Sequence, residues 1–463
     1  MSKRVLVLFP GTTHPVSMGS QVRVNYLLRH LVMDGNWKVQ CLTPYGLLRP
    51  ERWGENWNLL EAIHIPAPGS ATSAKASLGI PHVRQALSGG FLEAVWRDFR
   101  DNVRRLSSRF QPQPTMPTCK IHSHVNEKGS CTDNSESLVS ARLKNHDKDH
   151  YIAALKELVR DNHYDVIIVS YVWLSSMLKD IFDLPNRPLL VCDTIDIQYI
   201  RESRLQSHRS SKMTFDFEAE KALELEWLNR YDLLVAITDV DRDELQSGLR
   251  GKKVCSLPIE ASVPGNALLN EATWAVRTEK LHRFDLLFLG GPNEGNIYAL
   301  ERLFTNLLPG LLERRPDLTL AIGGSICEIP LVRRYAHHPS VTLCGYVKDT
   351  SLFYQEGRVL LAPIPAGGGV KVKVLEALAH GVPVVTTSVG IEGIPFTDGV
   401  QGHIVDKDEE LIDKTLLLME EPERLKKAAF SAQQYMLDQL GPQKAYESFD
   451  KALEEILISR ESS

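Results

Sequence analysis

The chain has 463 residues, long enough for two or three domains, and its 43% hydrophobic and 24% charged residues are ordinary for a globular protein. A net charge of −5 excludes a general attraction to nucleic acid. Seven cysteines without a C-x-x-C pair speak against zinc and thioredoxin chemistry. No apolar run reaches the roughly 18 residues of a membrane span. The strand-like settings of Cys41, Cys192 and Cys255 point to buried thiols in a reducing, cytoplasmic compartment.

The apolar start, MSKRVLVLFPG, is too short for a signal peptide and reads as a first strand, Arg4 to Phe9. A loop to Met18 follows. Gly19-Ser20-Gln21 opens a helix that Gly35 ends, and Lys38 to Thr43 is the second strand. This opening suits a Rossmann-like domain, but without G-x-G-x-x-G it is not that of a dinucleotide oxidoreductase. Arg23, one turn into the helix, reads equally as an exposed arginine or as a contact to an anionic donor or acceptor. Glu61 to Pro66 is a further strand, and 67–90 a long loop. Phe91 to Phe110 is an amphipathic helix, read first as a packed surface helix and second as a peripheral membrane contact. Residues 111–149 lose periodicity and read as a disordered insertion.

Order returns with a helix Tyr151 to Asn162, a strand Tyr164 to Ser170, a helix Val172 to Ile181 and a strand Pro188 to Asp193. Acidic residues at a strand's carboxyl end sit where α/β domains place ligands. Asp193 and Asp196 are therefore candidates to bind an acceptor hydroxyl, with Asp196 as a possible base, although an N-cap role fits Asp193 or Thr194 as well. A helix from about Met213 to Arg230, a strand Asp232 to Ile237, a helix Asp239 to Gln246 and a strand Lys253 to Leu257 complete the first half. Residues 258–276 are the linker.

The second half begins with a strand Phe284 to Leu289. The glycine loop Gly290-Gly291-Pro292-Asn293-Glu294-Gly295-Asn296 leads into a helix Ile297 to Leu312. Strand Leu318 to Ile322, helix Ile329 to Tyr335 and strand Val341 to Leu343 follow, then Gly345-Tyr346-Val347. Strand Val359 to Ala362 delivers the chain to Gly367, Gly368 and Gly369, a helix Val370 to His380, and a strand Pro383 to Thr387. Strand, glycine loop, helix, strand is the wiring of a parallel α/β unit. Glycine lets backbone N–H groups approach an anion closely, and the helix start adds partial positive charge. Lys371 and Lys373 are unfavourable at a bare helix start, which points to a phosphate beside them. Lys373 and Glu376 share a helix face, so a lysine can take a diphosphate while the glutamate accepts from ribose hydroxyls. The bland alternative is a solvated helix end behind a flexible loop. His403 to Val405, helices Glu409 to Met419 and Glu423 to Leu437, and a last helix from about Gln443 to Ile458 close the chain.

The string GGGVKVKVLEALAHGVPVVTTSVGIEGIP resembles the nucleotide-sugar donor site of GT-B glycosyltransferases of the family 4 type (glycosyl transferases group 1). Leu375-Glu376-Ala377-Leu378-Ala379, Gly381-Val382-Pro383-Val384-Val385, Gly390 and Gly393 carry the likeness. It departs at Gly368, where the family's first glutamate of a Glu-x7-Glu motif is expected, and it looks like a polysaccharide-building subset with Gly-Gly-x-x-Lys-x-Lys-x-Leu-Glu. A second departure is Ile195, where a His-Asp pair is common.

The resemblance implies an α/β, GT-B fold of two Rossmann-like domains facing a cleft. The expected division is an acceptor domain over 1–262, a donor domain over 277–440 and a cross-over helix over 441–463. It implies a hexosyltransferase-like glycosyltransferase acting from a nucleotide diphosphate-sugar onto a hydroxyl of a glycan or lipid-linked acceptor. Gly19, Gly290, Asn296, Gly368, Gly369, Lys371, Lys373 and Glu376 would bind the donor, Arg23 and Asp193 the acceptor, and Asp196 would serve as acceptor contact or base. It implies no cofactor besides the donor and no metal ion. The rival readings are a non-catalytic nucleotide-sugar binding or scaffold protein, motivated by Gly368, and a GT-B epimerase.

Overall fold

The computed structural model describes residues 3–10, 19–35, 37–43, 60–64, 138–146, 149–208 and 215–461. The amphipathic helix expected over Phe91 to Phe110 lies outside the described residues.

Two parallel sheets organise the chain. The first contains β1 (Arg4–Leu8), β2 (Lys38–Thr43), β3 (Leu60–His64), β4 (Val166–Ser170), β5 (Leu189–Asp193), β6 (Leu233–Ala236) and β7 (Lys253–Ser256), in the order β3-β2-β1-β4-β5-β6-β7. The second contains β8 (Phe284–Leu289), β9 (Leu320–Gly323), β10 (Val341–Gly345), β11 (Gly357–Ala362), β12 (Val384–Thr386) and β13 (Gly402–Ile404), in the order β10-β9-β8-β11-β12-β13. Strand order reverses between β1 and β4 and again between β8 and β11. Such a switch point opens a crevice at the carboxyl ends of the strands, where open α/β sheets bind ligands.

The strand sequences explain this burial. VIIVS and LLVCD are apolar on both faces, and every residue of β4 and β5 is buried, as helices on both faces of a parallel sheet require. In β1 the pleat sorts the side chains. Val5 and Val7 pack with Leu27, Leu28 and Leu31 of the first helix, whereas Leu6 and Leu8 face Leu155, Tyr164 and Leu178 on the other side. The last helix, Pro442–Glu461, completes the first of these clusters with Tyr446, Phe449 and Leu453, so the chain's end is core material for the domain that holds its beginning.

Several elements differ from the sequence expectation. Leu138–His146 is helical, so the aperiodic stretch read as reaching Asp149 ends earlier. The segment after β4 is a 3-10 helix, Val172–Leu178, entered through Tyr171 at φ 70. The single helix expected from Met213 is preceded by an unforeseen one, Gln198–Gln206, and begins at Phe217, where Asp216 caps Ala219 N–H. The expected linker contains a helix, Glu271–Val276, started by a capping box between Asn270 and Thr273. The helix expected to start at Ile297 runs as Glu294–Arg302, a π turn over Leu303–Leu307, and Leu308–Arg314. Pro309 lacks an N–H for the regular ladder, which accounts for the interruption.

Candidate functional site

The carboxyl ends of β8 and β11 build one wall of the crevice. After β8, Gly290 N–H donates to Gly323 O (3.0 Å), and Ile326 N–H donates back to Gly290 O (3.1 Å). Gly324, at φ +97, lies on this loop: a Cβ there would stand 2.3 Å from Gly290 O. A Cβ on Gly290 itself would fall 2.6 Å from Asn296 Nδ2 and 3.2 Å from Lys373 Nζ. Asn293 caps the helix Glu294–Arg302 by accepting from Asn296 N–H (2.9 Å), and Asn296 Nδ2 donates to Gly291 O (2.8 Å). These bonds leave Asn296 Oδ1 as the acceptor for Lys373 Nζ.

Lys373 has little else. Its ammonium lies 4.1 Å from the centre of the Phe288 ring, and among the described residues no carboxylate pairs with it. Burial, followed by repulsion from Lys371, lowers its pKa to about 7. Lys371 stands at the N-cap of the helix Val372–Ala379 and donates to Gly369 O (2.7 Å) and Gly368 O (3.4 Å). Burial lowers its pKa too, opposed by Glu392 and Asp196. One turn on, Glu376 Oε2 accepts from Tyr354 Oη (3.1 Å), and burial raises its pKa to about 7. Two amines and a carboxylate thus stand together, poorly solvated and incompletely paired. Such groups gain most from a ligand that supplies their missing partners.

The other wall is the end of β5. Asp196 N–H donates to Thr194 O (2.6 Å) around Ile195, which has φ 59. A β-branched residue in that region is strained, and the tight turn aims Asp196 into the crevice. Burial raises the Asp196 pKa, opposed first by Arg201 and then by Lys371. The helix Gln198–Gln206 that follows is anchored by Glu224, whose carboxylate accepts from Gln198 N–H (3.0 Å) and Tyr199 N–H (2.9 Å).

Arg23 and Asp193, expected at the acceptor, bond to each other. Both side chains are 2% exposed, with Arg23 Nη2 2.7 Å and Nε 2.9 Å from the Asp193 carboxylate. Arg23 Nη1 donates to Leu257 O. The pair ties the first helix to the ends of β5 and β7. Gly19 starts the first helix under Val372, where a Cβ would lie 2.6 Å from Val372 Cγ2, so its bareness serves domain contact. Gly368 and Gly369 do the same: Cβ atoms there would stand 2.8 Å from Arg201 Cβ and 1.8 Å from Asp196 Oδ1. Gly290, Asn296, Lys373 and Glu376 meet on the wall after β8 and β11, and Gly368, Gly369, Lys371 and Asp196 meet at the seam between walls. Tyr354, Phe288 and Arg201 were not anticipated. No local pattern marks Tyr354 or Phe288, because each acts on a residue distant in the chain.

Sucrose-phosphate synthase from Thermosynechococcus elongatus aligns over 99% of this chain and 100% of its own, with TM-score 0.65 and 11% identity. A variant of TarM from S. aureus, crystallised with Fondaparinux, alpha-GlcNAc-glycerol and UDP, aligns over 97% of this chain and 99% of its own, with TM-score 0.60 and 9% identity. The fold is GT-B. Residues 283–421 of this GT-B chain, most of its second domain, match the family model described as glycosyl transferases group 1. A curated relative, an uncharacterized 44.6 kDa protein in the cps region of Klebsiella pneumoniae, is 26% identical over 182 residues, which are 37% of this chain and 46% of that protein. The chain therefore spans about half the length of the curated relative it matches. Among its described residues no helix is long and apolar enough to cross a membrane.

Proposed function

We propose that this GT-B protein is a glycosyltransferase that moves a sugar, in hexosyltransferase-like fashion, from a nucleotide diphosphate-sugar to a hydroxyl of a glycan or lipid-linked acceptor. The observation that carries the reading is the buried Lys373 ammonium, held by a ring face and an amide oxygen and, among the described residues, paired with no carboxylate. A diphosphate supplies the missing charge. Lys371, Lys373 and the N–H groups at the start of Val372–Ala379 then face the negative charge that grows on the leaving group, where fixed donors act most strongly. Glu376 takes the ribose hydroxyls as acceptor, oriented by Tyr354. Asp196 meets the acceptor hydroxyl and takes its proton if the transfer inverts configuration. The match to the group 1 model and the UDP in the TarM structure support this reading.

The test is direct. Purified protein is screened against UDP-, GDP- and ADP-sugars by thermal shift, since a selective ligand raises stability with occupancy. Release of nucleotide diphosphate is then followed with and without glycan acceptors. Stabilisation by one donor with acceptor-dependent release is expected. Stabilisation without release or transfer would favour a nucleotide-sugar binding or scaffold protein, and an unchanged response in Glu376→Ala would remove the assigned donor site.

A further inference from the structure

We propose that Arg201 is a positioning residue for the transfer site: held against Gly368 of the facing domain, it sets the charge and aim of Asp196, five residues before it on its own side of the seam. The proposal rests on the glycosyl-transfer reading and assigns the element which that reading leaves unexplained.

Four cations face Asp196. Arg23 comes from the first helix, Arg142 from Leu138–His146, Lys371 from the glycine loop of the second domain, and Arg201 from the helix that follows the carboxylate itself. On the acidic side stand Asp241, Asp193 and the hydroxyl of Tyr171; the Tyr171 pKa is raised mainly by burial and then by Asp196 and Asp193, and that of Asp241 by burial and Asp196. Three of the cations are engaged elsewhere. Arg23 is chelated by Asp193. Lys371 donates to two carbonyls of its own loop. Arg142 donates to Gln198 and to Glu202 (2.7 Å) and lies 5.0 Å from the Trp173 ring. Arg201 differs. Its Nη1 is fixed by Glu202 Oε1 (2.6 Å), while its Nε edge stands 3.7 Å from Asp196 Oδ2, close enough to bias its charge without a full hydrogen bond. Glu202 is itself 2% exposed, so the guanidinium is held by a group that cannot wander.

The two glycines make room for this pair. A methyl group at 368 would come within 2.8 Å of Arg201 Cβ and 3.0 Å of its Cγ, pressing on the base of the side chain rather than its flexible end. One at 369 would collide with the Asp196 carboxylate. The loop after β11 therefore packs on Arg201 and Asp196 together, and it leads directly into Lys371 and Lys373.

The experiment compares Arg201→Gln, Arg201→Lys and Gly368→Ala with the wild type. For the transfer assay, the acidic limb of the kcat/KM profile should move up by about one pH unit in Arg201→Gln, the order expected for losing an opposite charge near a carboxyl. Turnover should fall by roughly tenfold with nucleotide affinity unchanged, because a group that acts on the acceptor side contributes to kcat and not to donor binding. Arg201→Lys should recover part of both effects, and Gly368→Ala should reproduce them. In an Asp196→Asn background, Arg201→Gln should cost nothing further. An unshifted acidic limb, or costs that multiply with Asp196→Asn, overturns the proposal. Should the wild type transfer no sugar, the transfer reading fails separately. Carboxyl carbon NMR of Asp196 then still decides, since an unchanged titration midpoint in Arg201→Gln overturns the positioning role.

Discussion

Arg23 and Lys373 are two buried cations on opposite walls of one crevice, and they are buried in opposite ways. Arg23 has a carboxylate across its fork and a carbonyl at its third nitrogen. Lys373 has an amide oxygen and the face of Phe288. The first is neutralised by the protein. The second is desolvated without being neutralised, and its pKa falls to about 7 as a result. Burial alone therefore says little about a charged residue's purpose. What the protein puts opposite the charge separates a strut from a docking point.

Removing each cation should separate the two roles. Arg23→Met leaves Asp193 buried and unpaired, and should cost about 3–5 kcal/mol in a denaturant titration. The surviving folded protein should still bind nucleotide. Lys373→Met should do the reverse. Its stability should hold or rise, because a strained charge is replaced by an apolar chain, while nucleotide affinity drops by roughly ten- to a hundredfold in calorimetry, the worth of one charge-assisted bond. If Lys373→Met unfolds the protein, the ammonium is a strut as well and the contrast fails.

Titration sharpens the same contrast. Nucleotide affinity should weaken as pH rises above about 7, where the free Lys373 amine loses its proton, by up to about tenfold per unit. The Lys373→Met protein should lack that alkaline limb. For stability the sign is opposite. The unfolded chain holds a proton on this lysine up to its ordinary pKa of about 10.4, whereas the folded chain releases it near 7, so folding gains as pH rises through that window.

His30 tests the comparison from the strut side. It stacks on Tyr446 (3.7 Å, 7°) between Asp34 (3.1 Å) and Asp450 (2.9 Å). Burial opposes its charge, but hydrogen bonds and attraction from Asp450, then Asp34, raise its pKa overall. This contribution is full below the unfolded value of about 6.5 and is lost as pH climbs through the folded one. Thermal melts across that range should show the loss, and Asp450→Asn should flatten it. The smallest effect belongs to Arg204 and Glu392, which join the domains at 39% and 26% exposure. Glu392→Gln should change stability by no more than about 1 kcal/mol, and less in high salt.

The wall after β8 and β11 was legible as a cluster because it is nearly contiguous. Lys371, Lys373 and Glu376 fall within six residues, and their unfavourable place at a helix start already asks for an anion. The two-sheet architecture was legible for a similar reason, since each buried parallel strand is an apolar run bounded by glycine or polar turns. The wall at the end of β5 was not. Asp196 was found by its position after β5, but its aim depends on Ile195 at φ 59, a conformation that β-branched residues disfavour. Arg23 looked like an exposed helix arginine or an anion contact; only the fold, 170 residues away in sequence, brings Asp193 to it. The glycines misled in an instructive way. Gly290 and Gly368 look equivalent as letters, yet one clears space for its own domain's asparagine and lysine and the other for an arginine of the facing domain.

The polypeptide passes between the domains twice, once near Ala261 and once at Leu440, and the two passages are bonded to each other through Ala261 N–H and Leu440 O at 2.7 Å. Two tethers fastened side by side act like the spine of a book. Such a spine leaves a hinge as the easy relative motion of the covers and resists their sliding past one another.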